Sequence, residues 1–219
     1  MENEDMKHTT SIRLLAAAGL LIQGAFGATN LIVNGSFERP VVPAGSYDSF
    51  AVGTATLPGW QVVGVAQGEV SIISDTSVAD GFTFPAAAGA QWLDLTGPAS
   101  NNATGVQQTV ATTAGATYIL TFYLGNCYDP TGGLGLTSTV NVFVNGIQTF
   151  AVTNTAGQGL TSIFWQRYTT TMVATSSETT IAFMNGDGPL DNSNGLDGIS
   201  LVEQAPAAQT DTQPTGQNR

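Results

Sequence analysis

The sequence predicts an all-β protein, an antiparallel β-sandwich with jelly-roll topology, and three observations lead to that prediction. Only 10% of the 219 residues are charged and 26 are glycine, a composition that suits strands and turns better than helices. Short segments alternate apolar and polar residues, as half-buried strands do. No segment has helical periodicity. Because each strand can bury only one face, two sheets packed face to face would form the core.

Residues 1–27 have the pattern of a secretory signal, which is the first predicted element. Lys7 and Arg13 precede an apolar run at residues 14–22, and small residues follow up to Gly27. The apolar run is too short to cross a bilayer as a helix. The sequence therefore predicts a secreted, extracellular protein that has no membrane contact after the signal is removed.

Residues 28–203 are predicted to form one domain, and residues 204–219 a disordered polar tail with too little apolar material to fold. From residue 28 onward, three arginines stand against 13 acidic residues, a formal charge of −10. That charge argues against nucleic acid as a partner. Cys127 is the only cysteine, so stability must come from the core, from hydrogen bonds or from a metal rather than from a disulfide.

The strands of the domain follow in chain order from the alternation of apolar residues. Residues 117–124 give the clearest one, with every second side chain apolar on one face. Residues 139–144 and 147–152 form a predicted hairpin, because Asn145-Gly146 between them suits a two-residue turn. The other predicted strands are residues 31–33, 60–66, 69–73, 91–95, 106–111, 164–173, 179–183 and 199–202.

Several phrases of the sequence occur in an order that resembles a known family. They are residues 30–38 (NLIVNGSFE), 57–60 (LPGW), 91–95 (QWLDL), 105–109 (GVQQT), 118–126 and 196–201 (LDGISL). Together they resemble domain-of-unknown-function family 642, a galactose-binding-like jelly roll of plant cell-wall and secreted bacterial proteins, over about residues 29–203. The single domain with a single cysteine is similar to the bacterial branch.

The resemblance implies a non-catalytic module that binds a cell-wall or other extracellular polysaccharide. The alternative is a structural or adhesive extracellular protein that docks onto another secreted protein. An enzyme is not expected. The only histidine, His8, leaves with the signal, which excludes a histidine-based triad or zinc site in the mature chain. Two carboxylates such as Asp94 and Asp129 could still hydrolyse a glycoside without a histidine, but any chain with 13 acidic residues contains such pairs.

The resemblance also implies a structural calcium between the first and last strands. Glu38 and Asp197 would supply carboxylates, and loop carbonyls would complete the six to eight oxygen ligands that calcium takes. In the alternative interpretation Glu38 accepts backbone hydrogen bonds and Asp197 stabilises a turn before Gly198. The acidic stretch at residues 185–195 does not have the spacing of an EF-hand loop.

Aromatic and planar polar side chains are the candidate sugar ligands, because a sugar ring stacks its C–H face on a flat ring while its hydroxyls bond to polar groups. If Leu93 and Leu95 face the core, Trp92 and Asp94 point the other way. The competing register buries Trp92. Trp60 and Trp165 are assigned to packing. The predicted ligand-binding residues are Trp92, Asp94, Tyr123, Asn126 and Tyr128.

Overall fold

The computed structural model describes residues 29–53, 57–97, 103–131, 133–188 and 193–205. The predicted signal and nearly all of the predicted tail lie outside the described residues, so both stay predictions. Within these ranges no helix is long and apolar enough to cross a membrane.

The described residues form strands, turns and irregular segments. The strands are β1 (Tyr47–Ala51), β2 (Gln61–Gly64), β3 (Glu69–Ser74), β4 (Val78–Ala79), β5 (Phe82–Thr83), β6 (Gln91–Asp94), β7 (Thr104–Ala111), β8 (Thr117–Asn126), β9 (Ser138–Val144), β10 (Ile147–Asn154), β11 (Phe164–Val173), β12 (Glu178–Asn185) and β13 (Gly195–Glu203).

Two antiparallel sheets contain all but two of these strands. The six-stranded sheet has the order β1-β3-β6-β13-β8-β11, and the five-stranded sheet has the order β10-β9-β12-β7-β2. Strands β4 and β5 form a small separate hairpin. Neighbours in each sheet are mostly distant in sequence, as expected when a chain passes back and forth between the two sheets of a jelly roll. The predicted fold class, an antiparallel β-sandwich, is confirmed.

The main core lies between the sheets and follows from the period-two alternation of the strands. Val140 and Val142 of β9 and Phe183 of β12 meet Leu120 and Phe122 of β8, and all five are at most 1% exposed. The rings of Phe122 and Phe183 pack edge to face with centroids 5.2 Å apart. Apolar side chains of both inner faces thus form one continuous core.

A second, smaller core lies on the other side of the six-stranded sheet. Trp92, Phe84, Ile163 and the thiol of Cys127 are its buried members, and Trp165 packs against them. Trp165 and Ile163 leave no space for side chains at two neighbouring positions: a Cβ at Gly125 or Gly195 would lie within 3.0 Å of both residues. Loops therefore cover part of this sheet's outer face.

The predicted strands correspond closely to β2, β3 and β6–β13, whereas residues 31–33 do not form a strand. Two of their backbone N–H groups bond to side chains instead of to a strand: Ile32 N donates to Asn30 Oδ1 at 3.0 Å and Val33 N to Gln108 Oε1 at 2.8 Å. The segment is joined to β13 by an isolated bridge between Asn30 and Val202 and by the hydrogen bond from Leu31 N to the carbonyl oxygen of Leu201 at 2.8 Å. The prediction of a strand at residues 31–33 is therefore wrong, but the segment does lie beside the last strand, as expected.

The predicted hairpin at Asn145-Gly146 is confirmed. Both residues have positive φ angles, 52° and 79°, as a two-residue turn of the favoured type requires. Strand β1 and the β4–β5 hairpin were not predicted from the sequence.

Candidate functional site

The outer face of the five-stranded sheet carries amide and hydroxyl side chains instead of charged ones along its middle. The valines and phenylalanines of β7, β9 and β12 point into the main core, so the alternate residues of these strands point outward. We call this surface the amide face and define it by Gln61, Val63, Gly105, Gln107, Thr109, Thr139, Asn141, Phe143, Gln148, Ala151, Thr153, Thr180, Ala182 and Met184.

The register of the strands arranges this face in rows. In one row, Gln148, Phe143, Ala182, Gln107 and Gln61 lie opposite one another across all five strands. Ala182 at its centre is small and forms the floor of a shallow strip. The half-buried ring of Phe143 stands on one side of this strip, and the side chains of Gln107 and Gln61 stand on the other. An extended ligand could lie flat there against both apolar and polar groups.

The next row consists of Ala151, Asn141, Met184, Gly105 and Val63. Gly105 has no space for a side chain, because a Cβ there would lie 1.9 Å from the carbonyl oxygen of Phe183 and 2.9 Å from the sulfur of Met184. The thioether of Met184 therefore covers this position. The second row continues the low strip of the first.

Hydrogen bonds between neighbouring strands hold the polar side chains of the amide face in place. Gln107 Nε2 donates to Gln61 Oε1 at 2.8 Å, and Gln148 Nε2 donates to Asn141 Oδ1 at 3.2 Å. Hydroxyl pairs join Thr109 to Thr180 and Thr139 to Thr153 at 2.7 and 2.9 Å. Each amide uses one group in these bonds, which leaves donors and acceptors in fixed positions for a ligand.

A groove of about 430 Å³ adjoins the amide face at the β2 edge. It shares Gln61, Gln107 and Thr109 with that face, and the turn Pro58-Gly59-Trp60 forms its other side. The turn is fixed because Trp60 Nε1 donates to the carbonyl oxygen of Asn34 at 3.0 Å. The groove extends the amide-lined surface beyond the last strand of the sheet.

Of the predicted sugar ligands, Trp92 and Asp94 do point away from the main core, as the alternation with Leu93 and Leu95 predicts. Trp92 is nevertheless only 2% exposed, and its Nε1 donates to the carbonyl oxygen of Phe84 at 3.0 Å. The prediction that Trp92 offers an open ring for sugar stacking is therefore wrong, because loops cover the ring. Both residues line a pocket on that face.

The other three predicted ligands do not join them. Asn126 is fully buried; its Oδ1 accepts the N–H of Gly157 at 3.0 Å and its Nδ2 donates to Ser138 Oγ at 3.3 Å. Its proposed role is corrected to a structural one, because it shares the core-facing parity of Leu124. Tyr123 is half-buried beside Gly198, and Tyr128 is half-buried beyond the end of β8.

Glu38 and Asp197, the predicted calcium ligands, do meet at one loop. Glu38 Oε1 accepts the backbone N–H groups of Ala90 and Gln91 at 2.9 and 3.1 Å. Asp197 is fully buried and accepts those of Ala88 and Gly198 at 2.8 and 2.6 Å. Burial raises the pKa of Asp197 to about 7, and the charge of Glu38 contributes to the rise. These hydrogen bonds are the ones that the alternative to calcium binding predicts, in which Glu38 accepts backbone N–H groups and Asp197 stabilises the turn before Gly198.

The donor chemistry of this loop fits calcium in part. Two carboxylates supply hard oxygen ligands, and a cation would offset the burial of Asp197. In the part of the chain that the structure describes, no group of three or more His, Cys, Asp or Glu side chains could hold a metal. The remaining ligands would have to be backbone carbonyls and water, so calcium stays a prediction.

Sequence reasoning missed the amide face. Its polar residues come from strands far apart in the chain, and only the register places Gln61 opposite Gln107. One signal was present: in β7, β9 and β12, the outward-facing residues include glutamine, asparagine and threonine, and the charged one, Glu178, stands at the first position of β12.

Fold and surface together define an all-β sandwich with an amide-lined sheet face. The chain belongs to the family described as "Protein of unknown function (DUF642)", whose model matches residues 30–195. The resemblance inferred from the sequence is thereby confirmed. No protein of curated function matches the chain in sequence.

Solved structures are similar to this chain at low sequence identity. A cyclase from Fischerella sp. TAU is 17% identical, with 81% of this chain and 98% of that chain covered and a TM-score of 0.56. The CBM22-1 xylan-binding domain of Paenibacillus barcinonensis Xyn10C is also 17% identical, with 76% and 99% covered and a TM-score of 0.46. TmCBM61 in complex with β-1,4-galactotriose is 16% identical, with 81% and 100% covered and a TM-score of 0.46.

Proposed function

We propose that this protein is a secreted, non-catalytic module that binds a neutral extracellular polysaccharide on its amide face. The observation that carries the proposal is the row of Gln148, Phe143, Ala182, Gln107 and Gln61 across all five strands. It combines a half-buried aromatic ring, a small central residue and planar amides on a rigid sheet.

Sugar chemistry suits this row. The C–H face of a pyranose ring packs on a flat aromatic surface, and Phe143 offers one. Sugar hydroxyls both donate and accept, as the amides of Gln61 and Gln107 do. Because those side chains already bond to each other, a bound sugar would find them ordered, which lowers the entropic cost of binding.

The charge of the surface favours a neutral chain over an acidic one. The five residues of the central row and the five of the next row include no ionisable side chain. From residue 28 onward the sequence carries a formal charge of −10, which repels polyanions at long range. The signal-like pattern of residues 1–27 supports an extracellular location.

Binding would be measured by a glycan array with neutral and acidic polysaccharides, followed by titration calorimetry on each hit. We expect saturable binding to a neutral polysaccharide without release of reducing sugar. Gln107→Ala and Phe143→Ala should each weaken it at least about tenfold, on the scale expected for a residue at the centre of a binding site.

Matched controls are Gln166→Ala and Phe164→Ala, both at exposed positions on the edge strand β11. They should leave affinity unchanged, and all four variants should melt near the wild type. Equal losses in controls and test variants would contradict binding at the amide face. If no polysaccharide binds and the protein captures one secreted protein instead, the adhesive alternative would be favoured.

A further inference from the structure

A pocket of about 250 Å³ lies on the opposite side of the molecule from the amide face. Ile73 of β3 with Trp92 and Asp94 of β6 form its floor on the outer face of the six-stranded sheet, and Phe84, Leu134 and Tyr47 stand around it. The β4–β5 hairpin contributes Val78 and Ala79. We call this site the aromatic pocket. It is smaller than the about 300–1,000 Å³ of pockets for drug-sized ligands, so it suits a single small group.

The rings of the aromatic pocket are held in position before any ligand arrives. Trp92 is fixed by its hydrogen bond to the carbonyl oxygen of Phe84. The ring centroids of Trp92 and Phe84 are 6.1 Å apart. Trp165 packs edge-on against Trp92 at 5.7 Å, and its Nε1 donates to the carbonyl oxygen of Pro85 at 2.8 Å. Tyr47 is the exception, because its side chain is 57% exposed and can adjust to an occupant.

Among the described residues that line the pocket, Asp94 is the one charged side chain and none is basic. Its Oδ1 accepts the N–H and hydroxyl of Thr96 at 3.0 and 2.7 Å, and the N–H of Asn194 at 3.2 Å. These bonds orient the carboxylate. The pocket therefore combines aromatic rings with one fixed negative charge.

This combination selects for a cation more than for a sugar. The electron-rich faces of Trp and Tyr attract ammonium groups, and recognition of quaternary ammonium by several aromatic rings is a well-attested use of that attraction. A sugar needs several planar polar partners, and no amide is found among the lining side chains that the structure describes. The amide face has four amide side chains and no fixed charge in its two rows.

We propose that the aromatic pocket binds an organic ammonium group, with Asp94 as the counter-ion and Tyr47 and Trp92 as aromatic contacts. The group could belong to a free small cation or to an amino sugar carried by a glycan. The chemistry is shared by both sources. The site is separate from the amide face, so failure of one proposal leaves the other unaffected.

The test uses the full chain and two pairs of probes, measured by titration calorimetry and ligand-detected NMR. Choline is compared with its neutral carbon isostere dimethylbutanol, and glucosamine with neutral N-acetylglucosamine. We expect at least one cationic probe to bind about tenfold or more tightly than its neutral counterpart, and more weakly as salt is added. Preference for choline would indicate a free cation, and preference for glucosamine would indicate a glycan.

Variants of two pocket residues test whether the cation binds in the aromatic pocket. Asp94→Asn should remove most of the preference for the cation, whereas Asp48→Asn, the same change at an exposed position on β1 outside the pocket, should not. Tyr47→Ala should weaken binding several-fold and Tyr47→Phe should retain it. Because Tyr47 is exposed, its replacement tests the site even if Asp94→Asn proves unstable.

Two results would overturn the proposal. One is that neither choline nor glucosamine binds the folded protein. The other is that each neutral probe binds as tightly as its cation, which would make the pocket a simple apolar or sugar site. Binding of a neutral polysaccharide should not change in Tyr47→Ala, and this keeps the test distinct from that of the amide face.

Discussion

Asp197 is a carboxylate whose surroundings oppose its charge. It is fully buried beneath the loop that contains Ala88, and burial is the main reason why its pKa rises to about 7, with the charge of Glu38 adding to the effect. Hydrogen bonds from the N–H groups of Ala88 and Gly198 act in the opposite direction without cancelling the rise. The folded protein therefore binds a proton at Asp197 more tightly than the unfolded chain does.

This shift predicts a pH dependence of stability. An acid with a raised pKa in the folded state favours folding at low pH, and that contribution disappears as pH rises from the ordinary aspartate value to about 7. In chelator, unfolding free energy at pH 8 should fall below that at pH 5 by up to a few kcal/mol, since each pKa unit corresponds to about 1.4 kcal/mol. Denaturant titrations at both pH values measure it.

The variant Asp197→Asn isolates this residue from the other acids of the chain. It cannot ionise, so the difference between wild type and variant should contain the contribution of Asp197 alone. We expect the free energy of the variant to change less than that of the wild type over this pH range. A parallel pH dependence in the two proteins would contradict a raised pKa at Asp197.

At the scale of elements, a glycine in the loop before β6 allows that loop to lie close to Glu38. Gly89 has a φ of 82°, and a Cβ there would lie 2.2 Å from Glu38 Oε1. That oxygen bonds to the next two backbone N–H groups, of Ala90 and Gln91. The absence of a side chain thus lets the carboxylate bind the loop backbone, which fixes the start of β6.

Replacing this glycine should cost more than replacing a glycine in open space. Gly115 has nearly the same φ, 83°, with no atom within 4 Å of a Cβ, so Gly115→Ala should cost only the left-handed backbone penalty of about 1–2 kcal/mol. Gly89→Ala must also displace Glu38, which adds about 1–3 kcal/mol for the lost hydrogen bonds. Chemical denaturation measures both variants. Equal losses would show that Glu38 shifts freely and that its bonds contribute little.

How much of the molecule the sequence predicts depends on the range of the interaction. Alternation along one strand correctly separates Leu93 from Trp92, and Asn145-Gly146 correctly marks a hairpin. The same alternation, carried two residues past Leu124, would have placed Asn126 in the core. The cover over Trp92 depends on loops whose path is not periodic, and so it could not be read from the strand pattern.

For the whole molecule, the two outer sheet faces differ because the loops that the structure describes cover only the six-stranded sheet. The loops and hairpin that bury Trp92 and Asp197 lie over the six-stranded sheet, whereas the described rows of the five-stranded sheet carry half-buried and exposed side chains such as Phe143 and Gln61. One sandwich therefore has an open sheet face on one side and a small pocket on the other. A sandwich core makes this possible because it leaves both outer faces available.

The first described segment and the last strand are joined along their length, and a calcium ion would strengthen that connection. Leu31 N donates to the carbonyl oxygen of Leu201 at 2.8 Å, and Ile199 N donates to that of Gly35 at 2.9 Å. Glu38 and Asp197 bind the same loop a few residues further on. An ion shared by these carboxylates would form only in the folded domain, so it would stabilise the fold by mass action.

At about a hundred times its dissociation constant, calcium would add about 2.7 kcal/mol, or roughly 5–10 °C in melting temperature for a domain of this size. We expect the wild type to melt higher in calcium than in chelator. Glu38→Gln keeps the acceptor for the loop N–H groups but is a weaker ligand, so it should lose most of that response. Glu178→Gln, at an exposed position on β12, should retain it. Identical wild-type midpoints in calcium and in chelator would exclude the ion, and Glu38 would then act only through its hydrogen bonds to Ala90 and Gln91.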